Sequence, residues 1–360
     1  MKPAYDIAVV GSGSAGVAAA VSAARQGAKV ILLDRRSAAG GIGGWSGLST
    51  LCGLYDDAGN WLVTGFAREF AQAVSPLAPV RSGRLWYLPY RPEDFRQTAA
   101  RFLSATPGLT GQWQTELSSV TLQNSRITAI NNIPVAAVVD CSGDAVAARL
   151  AGLETWQTDA STQAPAVVFT LRGLARTMAS PADAAGILLP VIRAGFPALH
   201  FHPHPEPQTI TVKFSGPPEQ VPALLDFLRS SVPGCQACRT DQPHFSASNR
   251  AGRMIPGRHQ LTGQEVLTAR KFPNAVARSA WPVEQWQPDG RTRLQALPPG
   301  EYYEIPPGCL QSQAVPNLFM AGKCLSADAN AMASARVMGT CLATGAAAGQ
   351  LAADFVKSNA

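Results

Sequence analysis

The chain has 360 residues, 46% of them hydrophobic and 15% charged, with a formal net charge of +6. This balance excludes a disordered chain and leaves room for about two domains with substantial cores. Its basic residues are scattered, so the charge favours anionic ligands without the dense stripe that a nucleic-acid surface needs.

No apolar run is long enough for a membrane span, so neither nucleic acid nor membrane is expected as a partner. Seven cysteines at irregular spacing suit reduced thiols better than a disulfide framework. With a first strand expected from Tyr5, there is no room for a signal peptide, and the expected location is cytoplasmic.

Tyr5 to Val10 (YDIAVV) reads as a buried parallel strand, and the alanine-rich stretch Val17 to Gln26 reads as a helix. Between them stands Gly11-x-Gly13-x-x-Gly16, with Ser14 and Ala15 inside the motif. Gly11 allows the sharp turn, Gly13 lets the backbone approach a pyrophosphate, and Gly16 lets the helix pack close to the sheet. The free N–H groups of the first helical turn would face the phosphate. A second strand, Lys29 to Leu33, ends in Asp34, placed to accept ribose hydroxyls. The order of strand, glycines, helix, strand and acid points to a dinucleotide site; the alternative is a glycine-rich turn in an ordinary βαβ unit.

A glycine-dense loop follows, Gly40 to Gly53, whose composition permits close approach to a ligand but not a regular helix. Pro92 to Leu103 reads as a helix, with proline first and acids in its first turn. Short strands are expected at Ser118 to Leu122 and Arg126 to Ile130. A buried strand at Val135 to Asp140 then runs into a helix at Ala145 to Ala151. The proline-rich middle holds β-like stretches at Ala166 to Leu171 and Thr209 to Phe214, and a helix at Val221 to Ser230. At the end, Asn317 to Ala321 reads as a strand and Val337 to Phe355 as a long helix. The fold expected is α/β. A Rossmann-like dinucleotide domain with a parallel sheet and β-meander spans 1–152 and 300–360, and a smaller α+β substrate domain spans 153–299.

Four segments carry a resemblance: DCSGD at Asp140 to Asp144, LTGQEVLTARKFPNAVARSAWPVE at Leu261 to Glu284, AGKCLSAD at Ala321 to Asp328, and ARVMGTCLATGAAAG at Ala335 to Gly349. Through them the chain resembles FAD-dependent oxidoreductases of the glutathione-reductase structural type, in the branch marked by DATGD and AGRCISAT…RVMPTC segments. The resemblance implies non-covalent FAD. Gly11, Gly13, Ser14, Ala15, Gly16, Asp34 and Arg35 would hold its ADP half, and Gly41, Gly43 and Gly44 would pass beside it. Gly143 and Asp144 would lie at a ligand-facing strand end, and Gly322 and Asp328 near the pyrophosphate and ribityl chain. Backbone N–H groups of Met338, Gly339 and Thr340 would face the N1 and O2 side of the flavin, where a positive helix end stabilises the reduced anion. Where the branch carries a THEAH-like run, this chain has Asp328-Ala-Asn-Ala-Met332, so no duty of those histidines transfers.

Trp45, Cys52, Tyr55 and His202 are expected to line the substrate pocket; for each the alternative is ordinary packing. His200, His202 and His204 alternate, so an extended segment would put them on one face, although Pro203 and Pro205 favour an irregular edge. Cys235-x-x-Cys238 lacks the partners of a zinc site, and no metal is expected. Arg250 and Arg253 would neutralise a flavin phosphate or an acidic substrate, or lie at the surface. No catalytic residue is assigned. The expected activity is FAD-dependent oxidoreduction of a small-molecule or peptide-borne substrate by hydride transfer to flavin N5. One alternative is an FAD monooxygenase drawing on NAD(P)H as a transient donor; the other is a non-catalytic or NAD-binding dinucleotide module.

Overall fold

The computed structural model describes residues 3–157, 163–175, 181–240, 247–248 and 250–359. Five parallel strands run in the order Leu109–Gln112, Val30–Leu33, Tyr5–Val10, Ile133–Asp140 and Leu318–Met320. The central strand buries Ile7, Ala8 and Val9 completely, as its continuous apolar run requires of a strand covered on both faces. Val120–Gln123 and Arg126–Ile130 extend the sheet as an antiparallel meander off Ile133–Asp140. Its two tight turns place Asn124, Ser125, Asn131 and Asn132 at positive φ, the conformation of two-residue hairpin loops.

One face of the sheet is covered by two parallel helices, Ser14–Arg25 and Met338–Ser358. They touch backbone to backbone: a Cβ on Gly345 would strike the Ala15 carbonyl, and one on Gly349 the Ala19 carbonyl. Gly345 and Gly349 bring the two helices close at Ala15 and Ala19, and both helices begin at the same end of the sheet.

The middle of the chain builds a second sheet, antiparallel, in the order Leu199–Pro203, Thr209–Phe214, Ala166–Arg172 and Ala247–Ser248. Period-two alternation gives it one apolar face. Val167, Phe169, Leu171, Leu199, Ile210, Val212 and Phe214 are buried there with Ile187 and Val191 of helix Pro181–Arg193 and Leu224 and Leu228 of helix Val221–Ser231. The other face, carrying His200, His202, Thr211 and Lys213, turns toward the first unit. Ser49 donates to the Pro203 carbonyl at 2.8 Å and meets the Thr211 hydroxyl. The separate core of this unit spans Val167 to Cys238, whereas Met254, Leu261, Val266, Ala277, Val283 and Leu297 join the core of the first. The 153–299 stretch expected as one substrate domain is therefore shared between two cores.

Several local expectations are corrected. The first helix starts at Ser14, three residues before the alanine run, because Gly16 sits within its opening turn. The glycine-dense loop does form a short helix, Gly41–Trp45, braced against Phe95 and Arg96 of helix Pro92–Ala105; tertiary packing overrides the weak helix propensity of its three glycines. The histidine segment is a regular edge strand as far as Pro203 rather than irregular chain. Helices Gly65–Val74, Pro181–Arg193 and Ala329–Ala335 were not expected. Among the described residues no helix is long and apolar enough to cross a membrane.

Candidate functional site

At one end of the shared helix seam the backbone forms a cradle. Gly11, at φ +91°, makes the turn out of the first strand, and a Cβ there would lie 2.8 Å from the Cys141 carbonyl oxygen. A Cβ on Gly16 would overlap the Gly11 carbonyl. Gly13 differs, since a Cβ on it would meet nothing closer than Gly41 Cα at 3.8 Å, so its side of the turn is open. It is also the N-cap of the first helix, without a side-chain cap, leaving the opening N–H groups for a ligand. Asp34 is buried behind the turn. Its Oδ2 accepts from the Ser12 amide at 2.7 Å and the Ser12 hydroxyl at 2.6 Å, while Oδ1 accepts, among the described residues, from the Arg36 amide alone at 2.8 Å and retains a lone pair.

The last helix points its N-terminus at a second cluster. Its N-cap, Val337, is likewise without a side-chain cap, and Gly339 donates to the Cys52 carbonyl at 2.8 Å. From Gly339 to Gly345, where the helix touches Ala15, is six residues, or roughly 9 Å of helix. Beside this terminus stands Glu284, half-buried, whose two oxygens accept the indole N–H groups of Trp281 at 3.1 Å and Trp286 at 3.0 Å. Burial raises its pKa, but Lys213, Arg336, the Trp281 indole and Arg250 together outweigh burial, and the net shift is downward.

Three cations surround this carboxylate without forming an ion pair to it. Arg250 lies 3.8 Å from the Trp286 ring centroid and donates to the Ala164 carbonyl at 2.6 Å. The Lys213 ammonium is 5.4 Å from the same ring. Arg336 donates to the Glu284 backbone carbonyl at 3.3 Å, and its buried Nε has no partner among the described residues. Burial pulls Arg250 down to about 9 and also lowers Lys213 and Arg336. His200 packs on Trp286 at 4.5 Å and bonds the Gly290 carbonyl at 3.1 Å, which selects the Nε2–H tautomer of a neutral ring. His202 meets Tyr87 edge-on at 5.8 Å, and Tyr87 meets Trp281 at 5.7 Å. Burial, then Lys213, holds His202 well below its ordinary range, and burial pushes the Cys52 thiol up to about 12.

The chain matches the FAD dependent oxidoreductase family over residues 6–186 and 200–360. It belongs to that family. Solved structures share the fold at low identity. A geranylgeranyl bacteriochlorophyll reductase-like protein from Thermoplasma acidophilum is 15% identical, with TM-score 0.51, covering 99% of this chain and 79% of its own. GidA from Aquifex aeolicus is 13% identical, with TM-score 0.53, covering 98% and 64%. A triple mutant of a flavin-dependent brominase is 11% identical, with TM-score 0.52, covering 98% and 81%. No curated protein matches.

FAD fits the residues of this oxidoreductase. The open side of Gly13, the uncapped first helix and the spare lone pair of Asp34 suit a pyrophosphate and ribose, and the uncapped last helix supplies a second positive terminus. The other residues expected from the sequence fall into three groups. Ser14, Ala15, Gly41 and Gly322 line the same cradle, with Gly41 Cβ space closed by Gly13 Cα at 2.5 Å and that of Gly322 by Ala15 Cβ at 3.1 Å. Met338, Gly339, Thr340, Cys52 and His202 converge on the second cluster, Thr340 donating to Ser279 at 2.9 Å. The remainder have other local partners. Gly43 and Gly44 leave room for Phe95 and Arg96, and Gly143 for Lys323. Asp328 caps helix Ala329–Ala335 and also accepts from Gly263, while Arg35 and Asp144 are exposed. Trp45 is exposed beneath Arg96, and Tyr55 packs on Trp61 at 4.6 Å beside a groove lined by Gln72 and Leu88.

Arg253 is half-buried near Thr155, and Cys235 and Cys238 lie inside the second core without a disulfide bridge. Among the described residues no group of side chains is gathered to hold a metal. Lys213, Glu284 and Arg336 were missed by sequence reading. The available signal was the alternation of Thr209, Thr211 and Lys213 within TITVKF, and the spacing Trp281-x-x-Glu284-x-Trp286.

Proposed function

We propose that this protein oxidises or reduces a small molecule held between the polar face of the second sheet and the N-terminus of the last helix, with FAD as its resident cofactor. The ADP half of FAD would rest on Gly11, Gly13, Ser14, Ala15, Gly16 and Asp34, and its ring end would meet Met338 to Thr340. Bound FAD supplies a two-electron acceptor that takes hydride at N5. The rest is done by the chain. The Met338 and Thr340 N–H groups at the start of the last helix, with Gly339 held by the Cys52 carbonyl, and the Arg336 guanidinium offer positive charge where reduction adds an electron pair. Burial keeps His200 and His202 neutral, so they face the cluster as hydrogen-bonding rings and add no charge to it. Glu284, tied by two indoles, stays ionised as a fixed counter-charge, and Cys52 stays a thiol.

The observation that carries this reading is the convergence of two uncapped helix termini, roughly 9 Å apart along one helix, with a polar sheet face closing over the second. The test is an anaerobic absorbance spectrum of the purified protein, before and after NADPH, followed by denaturation to release any flavin. A yellow protein that ignores NADPH but is bleached by its substrate supports the proposal. Bleaching by NADPH, with oxygen consumed and a hydroxylated product, would move the assignment to a monooxygenase. A protein that releases no flavin and takes up none would overturn the reading.

A further inference from the structure

The half-buried cations of the second cluster share one carboxylate, Glu284, and none of them is ion-paired to it. Both oxygens of Glu284 are occupied by indoles, and neither Lys213, Arg250 nor Arg336 forms an ion pair among the described residues. The contrast lies at the edge of the same sheet, where Arg172 of the sheet and Arg91, before helix Pro92–Ala105, both pair with Glu206. Three cations against one carboxylate leave a local excess of two positive charges, and the uncapped end of the last helix adds to it. Desolvated charge without a counter-ion is costly, so an arrangement of this kind is complementary to an absent anion.

We propose that Lys213 and Arg250, backed by Arg336, form an oxyanion subsite, and that the substrate carries a carboxylate which docks there. The term substrate rests on the flavin reading above. Both leading residues contact Trp286, which places them within the span of one ligand. Arg250 sits over the indole with one Nη committed to Ala164, so its remaining donors and the Lys213 ammonium can share the two oxygens of a carboxylate. A phosphate dianion is disfavoured because Glu284 remains ionised beside it. The cofactor's own phosphates belong to the other cradle, at the start of the first helix.

The experiment is calorimetric titration of the FAD-loaded protein with benzoate, acetate and inorganic phosphate, with the flavin absorbance band followed in parallel. Saturable binding of a carboxylate that shifts the flavin band, more tightly than phosphate, is expected. Lys213→Met and Arg250→Met should each weaken it at least about tenfold, or about 1.4 kcal/mol, at unchanged FAD content, and Lys213→Arg should restore most of it. Phosphate binding more tightly than either carboxylate overturns the carboxylate assignment. Loss of FAD itself from Lys213→Met and Arg250→Met assigns the cations to the cofactor and overturns the subsite. Full FAD loading with no heat and no spectral change for any probe also overturns it, leaving the flavin reading intact. A protein that never loads FAD defeats the flavin reading instead.

Discussion

The two sheets of this molecule solve the same packing problem with different consequences. The parallel sheet is apolar on both faces, and ligand chemistry is confined to its ends, where glycines and helix termini present backbone groups. The antiparallel sheet is apolar on one face only, and its chemistry lies on the other face as side chains. The first would therefore hold a cofactor through main-chain geometry that tolerates few added atoms. The second would meet a ligand through charged side chains, whose exchange leaves the glycine cradle untouched. Mutations should separate the two behaviours.

The largest effect is expected at the helix seam. Gly345→Leu would drive a side chain into the Ala15 backbone, and neither helix can yield, because each is packed on the sheet. We expect a loss of about 4 kcal/mol or more, seen as a collapsed urea midpoint, together with loss of bound flavin. A variant that keeps its midpoint and its flavin would show that the seam is looser than the backbone contact implies.

Glu284 tests the other sheet's cluster. Glu284→Leu strands two indole N–H groups and removes the one carboxylate seen beside three cations among the described residues, for a loss of about 3 kcal/mol. Glu284→Gln keeps an acceptor for one indole but turns an amide N–H₂ against the other, and about half that loss is expected. Flavin content should survive both changes, since neither touches the glycine cradle. Equal destabilisation by the two substitutions would mean that charge matters and the indole hydrogen bonds do not.

The same contrast explains what could be read in advance. The glycine turn, its helix and Asp34 were legible because a phosphate cradle needs particular residues within a few positions of one another. The strand limits there differ from expectation by three residues or fewer. Lys213, Arg250, Glu284 and Arg336 are scattered over more than a hundred residues and lie on different segments, Lys213 on the second sheet opposite His200, Glu284 on strand Val283–Trp286 and Arg336 at the end of helix Ala329–Ala335. Nothing local requires such a pairing. Tyr55 and Trp45 flank the right loop in sequence, yet Tyr55 packs on Trp61 and Trp45 lies exposed under Arg96, because closeness along the chain does not fix the direction of a side chain. Short helices such as Gly41–Trp45 are held by what they pack against, and composition alone argues against them.

The smallest effect concerns the histidines of the second sheet, and it can be separated from the rest by pH. Burial holds His200 and His202 below the ordinary value, and burial, then Arg172, lowers His204 from 6.5 to about 4. A group whose pKa is depressed in the folded state binds fewer protons there than when unfolded. Its contribution to stability is therefore present above pH 6.5 and is lost as pH falls toward the folded value, here about 4. After allowance for solvent contact, His204 alone should account for roughly 1 kcal/mol of lost stability between pH 7 and pH 5. Carboxylates with depressed values, such as Glu69, act only below their ordinary 4.5 and leave this window clear. Urea unfolding across the window should show the slope in the parent protein and a shallower one in His204→Asn. An unchanged slope in that variant would place the titration on His200 and His202, inside the polar face itself, where protonation would add charge to a cluster already carrying two more cations than anions.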